Sequence, residues 1–304
     1  MRREKMWLAD GWDEYEVIDT SSGEKLERWG DYILVRPDPQ VIWETGHKAH
    51  EWKQKNAHYH RSSKGGGYWD FIDLPEQWRI GYRLGQTGNS YRLSFNLKPF
   101  LFKHTGVFPE QAVNWEWMYD RILRSKGFKV LNLFAYTGGA TVACAAAGAE
   151  VVHVDAAKGM VQWATENAAV SGLGKAHIRY LVDDCVKFVK REIRRGNRYD
   201  GIIMDPPSYG RGPSGEIWKI EENVFELISL CSELLSDSAD FFLINSYTTG
   251  LQPAVLKYML DLAVTSVHGG HTEADEIGLP VRAEIMGDRP VLPCGASGRW
   301  VSRG

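Results

Sequence analysis

Cysteine carries no framework in this chain. Its four copies, Cys144, Cys185, Cys231 and Cys294, are widely spaced and form no C-x-x-C pair, which excludes a disulfide scaffold and a zinc knuckle as organising devices. No apolar run approaches the ~18 residues of a membrane span. The opening M-R-R-E-K-M-W-L-A-D-G lacks the apolar core of a signal peptide. A reducing cytoplasm is therefore the expected compartment, with no membrane partner. Charge of one sign is also missing. The chain sets 36 lysines and arginines against 39 acids, for a net charge of −3, so a nucleic-acid partner would have to be held by a local basic patch. A G-x-G-x-x-G fingerprint is absent too, which argues against nicotinamide or flavin chemistry. What remains is an ordinary globular balance, 43% hydrophobic and 25% charged over 304 residues, enough for one large domain or two smaller ones.

The most organised stretch runs from Val130 to Asp155. Val130 to Phe134 predicts a buried strand, Tyr136, Thr137, Gly138 and Gly139 a tight turn, and the alanines after them a helix that Gly148 stops. A second apolar run, Val151 to Val154, ends on Asp155. Strand, glycine turn, helix and strand with a terminal acid form the first unit of a doubly wound parallel sheet. Glycines in such a turn let a ligand approach the backbone, and an acid at the second strand's tip can accept from both hydroxyls of a ribose. A nucleoside-bearing cofactor across the strand tips is the expectation.

Further alternations follow: a helix over Lys158 to Val170, a strand over His177 to Val182, a helix over Cys185 to Arg195 and a strand over Tyr199 to Met204. Val224 to Leu235 suits a helix, Phe241 to Asn245 a fifth strand, Pro253 begins a last helix, and Glu276 to Arg299 suits a closing hairpin. The fold class expected is α/β, a Rossmann-like doubly wound, mostly parallel sheet. Nine of the twelve tryptophans precede this region, and the early runs are short and β-like: Tyr15 to Ile18, Tyr32 to Val35, Phe71 to Leu74, Trp78 to Leu84 and Tyr91 to Asn96. Residues 1–105 are therefore expected to form a small β-rich appendage, and residues 106–304 the α/β domain.

Ligands of such sheets sit at the carboxyl ends of the strands. Four polar signals fall there: the turn Tyr136 to Gly139, Asp155, the pair Asp183 and Asp184, and Asp205-Pro206-Pro207-Ser208-Tyr209. Alone, Asp155 could be a helix cap, and one of Asp183 and Asp184 could cap the next helix while the other faces a ligand. D-P-P-S-Y is the most specific. Its prolines remove two backbone donors, so the carbonyls must serve something else. Asp205 adds an acceptor and Tyr209 a ring on which a planar heterocycle can stack, as chemistry on a flipped base requires. The plainer alternative packs Tyr209 in the core.

Five motifs together carry a resemblance: F-K-H-T-G-V-F-P-E-Q (Phe102 to Gln111), N-L-F-A-Y-T-G-G (Asn132 to Gly139), V-D-A-A-K (Val154 to Lys158), D-D-C-V-K-F (Asp183 to Phe188) and D-P-P-S-Y. Phe102 to Gly250 resembles the class I S-adenosylmethionine-dependent methyltransferases, and more narrowly the ribosomal large-subunit RNA enzymes acting on cytosine C5 or guanine N7. The resemblance implies that Tyr136 to Gly139 border the methionine part, Asp155 the ribose and Asp184 the adenine amino group. It also implies that Phe108 and Gln111 close over the cofactor, S-adenosyl-L-methionine. Asp205, Pro206, Pro207 and Tyr209 are the candidate catalytic residues.

One departure matters. Cytosine-C5 members of that family carry a nucleophilic cysteine on the loop after the fifth strand, whereas here the loop reads N-S-Y-T-T-G, with Tyr247 near the thiol's place. Covalent activation needs a thiolate, and no other cysteine stands at a recognisable strand end. Cys294 is expected to be structural. Methylation of a base nitrogen is therefore expected, with positioning and desolvation supplying most of the catalysis.

From residue 43 to 69, His47, Lys48, His50, Lys53, Lys55, His58, His60, Arg61 and Lys64 interleave with Trp43, Trp52, Tyr59, Tyr68 and Trp69. Cations beside rings suit RNA, although a solvated face with its tryptophans packed inward fits as well. A metal site of His47, His50, His58 and His60 is conceivable, but no metal is expected. Arg191, Arg194, Arg195 and Arg198 suit a solvated helix face. The expected function is RNA methylation, ribosomal by the resemblance. Two rivals remain: the same fold acting on a small molecule or protein side chain, and an RNA-binding module with a vestigial pocket.

Overall fold

β1 (Lys129–Leu133) is buried from Val130 to Leu133, the pattern of a strand covered on both faces. β2 (Glu150–Asp155), β4 (Gly201–Met204) and β5 (Phe241–Ser246) are similarly enclosed, while β3 (Ile178–Val182) is half-buried at an edge. The computed structural model describes residues 6–62, 66–85, 89–100, 103–211, 217–285 and 287–302. It pairs β3, β2, β1, β4 and β5 in that order, all parallel. β6 (His271–Pro280) and β7 (Val291–Val301) extend the sheet, β7 lying antiparallel against β5.

The resulting order, 3-2-1-4-5-7-6 with the short strand Trp7–Leu8 as an eighth beyond β6, reverses its direction of growth between β1 and β4. That reversal opens a crevice at the carboxyl ends of the two strands. Phe241, Phe242, Leu243 and Ile244 of β5 are each fully buried, and burying a side chain of that size contributes about 1.5–3 kcal/mol.

The helices α1 (Ala112–Ile122), α2 (Gly139–Ala146), α3 (Lys158–Val170), α4 (Cys185–Arg195), α5 (Ile220–Ser232) and α6 (Pro253–Leu260) alternate with the strands. Asp184 caps α4 by accepting from Lys187 N at 2.8 Å, and Gly196, at φ 70°, ends it in the left-handed conformation. Arg194, Arg195 and Arg198 are exposed, as expected of a solvated face, and Arg195 also donates to the fully buried Glu192 at 2.9 Å; Arg191, half-buried, pairs with Asp183.

Two compact units divide the chain. One holds residues 1–7, 114–277 and 295–304; the other holds residues 8–113 and 278–294, so the middle of the closing hairpin belongs with the N-terminal part. The N-terminal unit contains a five-stranded sheet in the order Tyr15–Ser21, Glu24–Trp29, Tyr32–Pro37, Ala57–Arg61 and Gly67–Phe71, plus the pair Trp78–Leu84 and Tyr91–Leu97. Phe71 to Leu74 is not a strand: after Phe71 the chain turns, with Ile72 N and Asp73 N both donating to Asn56 O. Glu24–Trp29, missed for its charged residues, is an interior strand of the sheet, and Glu27 is fully buried there. Glu27 takes Arg36 on both oxygens, at 2.6 and 2.7 Å, and the Tyr15 hydroxyl at 2.7 Å.

Candidate functional site

The turn after β1 is held in an uncommon backbone conformation. Phe134 and Tyr136 sit at φ 55° and 51°, values that non-glycine residues seldom adopt and that gather at functional sites. Asp155, at the tip of β2, stabilises the turn. Its Oδ2 accepts from Tyr136 N at 2.9 Å and its Oδ1 from Ala157 N at 2.8 Å. It does not cap α3, whose N-cap position is Ala157. A carboxylate offers about four lone-pair sites, so acceptor capacity remains for a diol. Burial raises its carboxyl above the ordinary 3.8, against the lowering effect of the two backbone N–H groups.

The two glycines serve packing more than ligand approach. A Cβ on Gly138 would lie 2.9 Å from Ala164 Cβ of α3, and one on Gly139 would lie 2.7 Å from the Trp115 ring of α1. Gly138 also needs its φ of 85°. Thr137 is buried, with its carbonyl accepting from Asn167 Nδ2 at 2.9 Å. Side chain identity in this turn is therefore set from below, by α1 and α3.

At the end of β3 one of the two acids caps the next helix, as expected, and the other is engaged by protein groups. Asp183 is consumed by Arg191 and by Asp184 N, at 2.9 Å from its Oδ1. Asp184 caps α4 through Oδ1, and its Oδ2 has no partner among the described residues. Asp183 N in turn donates to Asp155 O at 3.0 Å, which ties the ends of β2 and β3 together.

The tip after β4 is built on contacts the sequence did not suggest. Asp205 N donates to Leu133 O at 3.4 Å, placing Asp205 beside the end of β1. Pro206 is buried. Pro207 O accepts from Trp218 Nε1 at 2.7 Å, so that carbonyl is already occupied by protein, and the Trp218 ring lies 5.3 Å from Phe134. Ser208 Oγ meets Thr248 Oγ1 at 2.5 Å, joining the tip to the loop after β5. Tyr209 is 53% exposed, which overturns the alternative of a core tyrosine. Tyr247 in that β5 loop is also exposed.

Cys185 is the first residue of α4, and Phe134 N donates to its sulfur at 3.4 Å. It is buried, and desolvation holds its thiol well above the ordinary cysteine range. Burial does the same to Cys144 and Cys231, and to Cys294, which belongs to the N-terminal unit.

Phe108 and Gln111 also lie in the N-terminal unit, on the turn Pro109–Gln111 that leads into α1. Phe102 and Lys64 fall outside the described residues. In the stretch 43–69, Trp43 and Trp52 point their indole N–H groups inward, to Thr20 Oγ1 at 3.1 Å and Asp19 Oδ2 at 2.8 Å. The four histidines do not converge on one point. His47 packs on Trp52 and His50 faces Glu51, while His58, bound to Glu24 at 2.6 Å, lies with its ring 3.9 Å from that of His60, which stacks on the 65% exposed Tyr68.

A cleft of about 710 Å³ opens at the opposite edge of the sheet, near Lys129, Glu150, His177, Arg179 and Glu192. None of the motif residues lines it. In parallel sheets the amino ends of the strands are not where ligands bind, so the strand-tip crevice remains the candidate.

Known proteins match this arrangement. A model of the S-adenosylmethionine-dependent methyltransferase family matches residues 75–240, more than half the chain. The crystal structure of a SAM-dependent methyltransferase from Agrobacterium tumefaciens is similar along nearly the whole length, with 34% identity, a TM-score of 0.89, and coverage of 99% of this chain and 95% of that one. Ribosomal RNA large subunit methyltransferase K/L of Shewanella frigidimarina is 29% identical over 194 residues, covering 63% of this chain and 25% of its own. Its counterpart in Shewanella pealeana is 30% identical over 157 residues, covering 51% and 21%. The chain thus spans about a quarter of the length of these curated relatives. Strand order, the acid at the tip of β2 and the family match agree, and the chain belongs to the S-adenosylmethionine-dependent methyltransferases.

Proposed function

We infer that this methyltransferase acts on RNA, ribosomal RNA by analogy with its curated relatives, and modifies a base nitrogen without a covalent enzyme intermediate. The observation that carries this reading is the tip after β4. A half-exposed Tyr209 ring follows the Asp205 carboxylate there, and the adjoining β5 loop offers hydroxyls where a thiol nucleophile would stand.

Asp155 would hold the ribose of the cofactor through its remaining lone pairs, and Asp184 Oδ2 would accept from the adenine amino group. The turn Tyr136 to Gly139 would border the methionine end. Asp183 orients α4 through Arg191. S-adenosylmethionine, when bound, supplies a sulfonium methyl to an acceptor with a lone pair. A base stacked on Tyr209 would present its nitrogen to Asp205, which accepts the hydrogen bond, and finally the proton, of that nitrogen. Pro206 and Pro207 present no N–H there, so the tip selects a donor edge on the base. The four thiols are all held protonated by burial, so none is poised to add to a pyrimidine ring.

The rings and cations of the stretch 43–69 support an RNA substrate, chiefly the exposed Tyr68 stacked on His60. Mass-spectrometric mapping of RNA modifications in cells with and without the gene tests the whole reading. One N-methylated nucleotide is expected to disappear with it. An unchanged RNA, together with labelled methyl transfer to protein or small molecules, would overturn it.

A further inference from the structure

The N-terminal unit contains a cavity of about 290 Å³ whose wall includes Pro37, Pro39, Tyr59, Arg61, Lys103 and His104. Its charge is out of balance. Glu27 is taken by Arg36, at 2.6 and 2.7 Å, and by Lys25 at 3.6 Å; Asp38 is taken by Lys25 at 3.3 Å. Lys103 then has only a neutral partner, donating to Pro37 O at 3.2 Å, while Arg36 donates to the Lys103 carbonyl at 2.8 Å. The Arg61 guanidinium, at the exposed rim, has no partner among the described residues.

His104 registers the excess. Its ring is pushed down to about 4 by burial and by Arg36, Lys103 and Lys25, with no carboxylate acting on it. Lys103 is likewise lowered, first by burial and then by Lys25 and Arg36 against Asp38 and Glu27. Glu110 acts on Arg36.

We propose that this cavity is a phosphate subsite in which Lys103 and Arg61 grip one backbone phosphate of the RNA substrate. A largely buried ammonium whose hydrogen bond goes to a neutral carbonyl, while the nearby Glu27 and Asp38 are held by Arg36 and Lys25, is costly to keep charged, and an anion drawn from solution relieves that cost. Arginine's planar fork fits a phosphate's oxygens, and lysine adds a point charge. A nucleic acid is favoured over a free anion because the same hairpin, Ala57–Arg61 with Gly67–Phe71, also exposes rings. Phe71 is 56% exposed and stacked on Trp69, and the register, Ala57 with Phe71, Tyr59 with Trp69 and Arg61 with Gly67, sets both rings on the Arg61 face, with Tyr68 and His60 on the other. An exposed ring and a cation pocket on one face of a hairpin match the alternation of bases and phosphates in a single strand.

This assignment rests on the RNA reading above, and the test separates the two. A fluorescently labelled single-stranded RNA is titrated against the full chain and its Arg61→Gln and Lys103→Gln variants over a salt series. Each variant is expected to bind about fivefold or more weakly and to lose about 0.7 from the slope of log affinity on log salt, the share of one phosphate contact on a single strand. Arg61 is exposed, so its variant reports even if Lys103→Gln perturbs the unit. Calorimetry with S-adenosylmethionine is expected to give one affinity for all three proteins. Wild-type binding with unchanged variants would overturn the subsite alone. Absence of salt-dependent RNA binding by the wild type would overturn both the subsite and the RNA substrate. Weaker binding of adenosine monophosphate with intact RNA binding would assign the cavity to a small anion and overturn the polynucleotide.

Discussion

Asp155 Oδ2 holds the backbone N–H of Tyr136 at 2.9 Å, so the acid proposed to hold the ribose is also the strut of the turn proposed to border the cofactor. The two roles would be coupled, because losing the carboxylate releases a residue at φ 51° along with the proposed ligand contact.

For Asp155→Ala the expected outcome is a loss of S-adenosylmethionine affinity of about 2–3 kcal/mol, the scale of hydrogen bonds to a charged group. Calorimetry measures it. Acid should weaken binding in the wild type as well. The carboxyl titrates above its ordinary 3.8, so on acidification the ribose acceptor is lost at a higher pH than an exposed aspartate would give. An affinity flat through that range would remove Asp155 from the ribose.

Asp205→Ala separates chemistry from binding. Its place beside Leu133 puts it at the switch point, and a lost proton acceptor costs roughly 100-fold or more in turnover. Cofactor affinity should stay within about twofold, because a side chain outside the cofactor contacts falls in the ±0.5 kcal/mol range. Full activity in single-turnover assays would exclude it from the mechanism.

Tyr209 can be tested with little cost to the fold, since over half of its surface is exposed. Tyr209→Ala is expected to lower kcat/KM for RNA by roughly 5- to 150-fold, the worth of about 1–3 kcal/mol of base stacking, with the melting temperature nearly unchanged. Tyr209→Phe keeps the ring and should keep the rate. Equal loss in both variants would point to the hydroxyl instead.

The sequence shows the site's positions better than its supports. Val130 to Phe134 and Asp155 stand out because buried parallel strands are continuous apolar runs, and the acid ends one of them. Lys158–Val170 and Cys185–Arg195 match their expected bounds because glycine follows each closely. Glu24–Trp29 was illegible for a non-local reason: its buried Glu27 is tolerable only beside Arg36, on the neighbouring strand. The contact of Cys185 with Phe134 N was illegible for a similar cause, since it joins residues 51 positions apart.

Trp218 is the other support that local pattern could not reveal. Its indole N–H fixes the Pro207 carbonyl at 2.7 Å, and its ring rests near Phe134. Trp218→Phe keeps the ring and deletes the hydrogen bond, worth about 0.5–1.5 kcal/mol. A fall in kcat of up to roughly tenfold, with cofactor affinity unchanged, is the expected result of a looser tip. Unaltered kcat would show that the prolines alone hold it.

Acid should act on the N-terminal unit through Glu27. Arg36, Lys25 and the Tyr15 hydroxyl overcome the opposing effect of burial and draw its carboxyl from 4.5 down to about 2. A depressed carboxyl contributes stability that is complete above the unfolded value and lost as pH falls, here across the window from 4.5 to about 2. Melting of the full chain is expected to move to lower temperature within that window. Glu27→Gln leaves Arg36 charged and buried without its partner. Breaking a buried pair on one side costs about 3–5 kcal/mol. The variant should therefore melt lower at neutral pH and lose this part of its acid sensitivity. If Glu27→Gln melted like the wild type at neutral pH, the buried pair would not be holding the sheet.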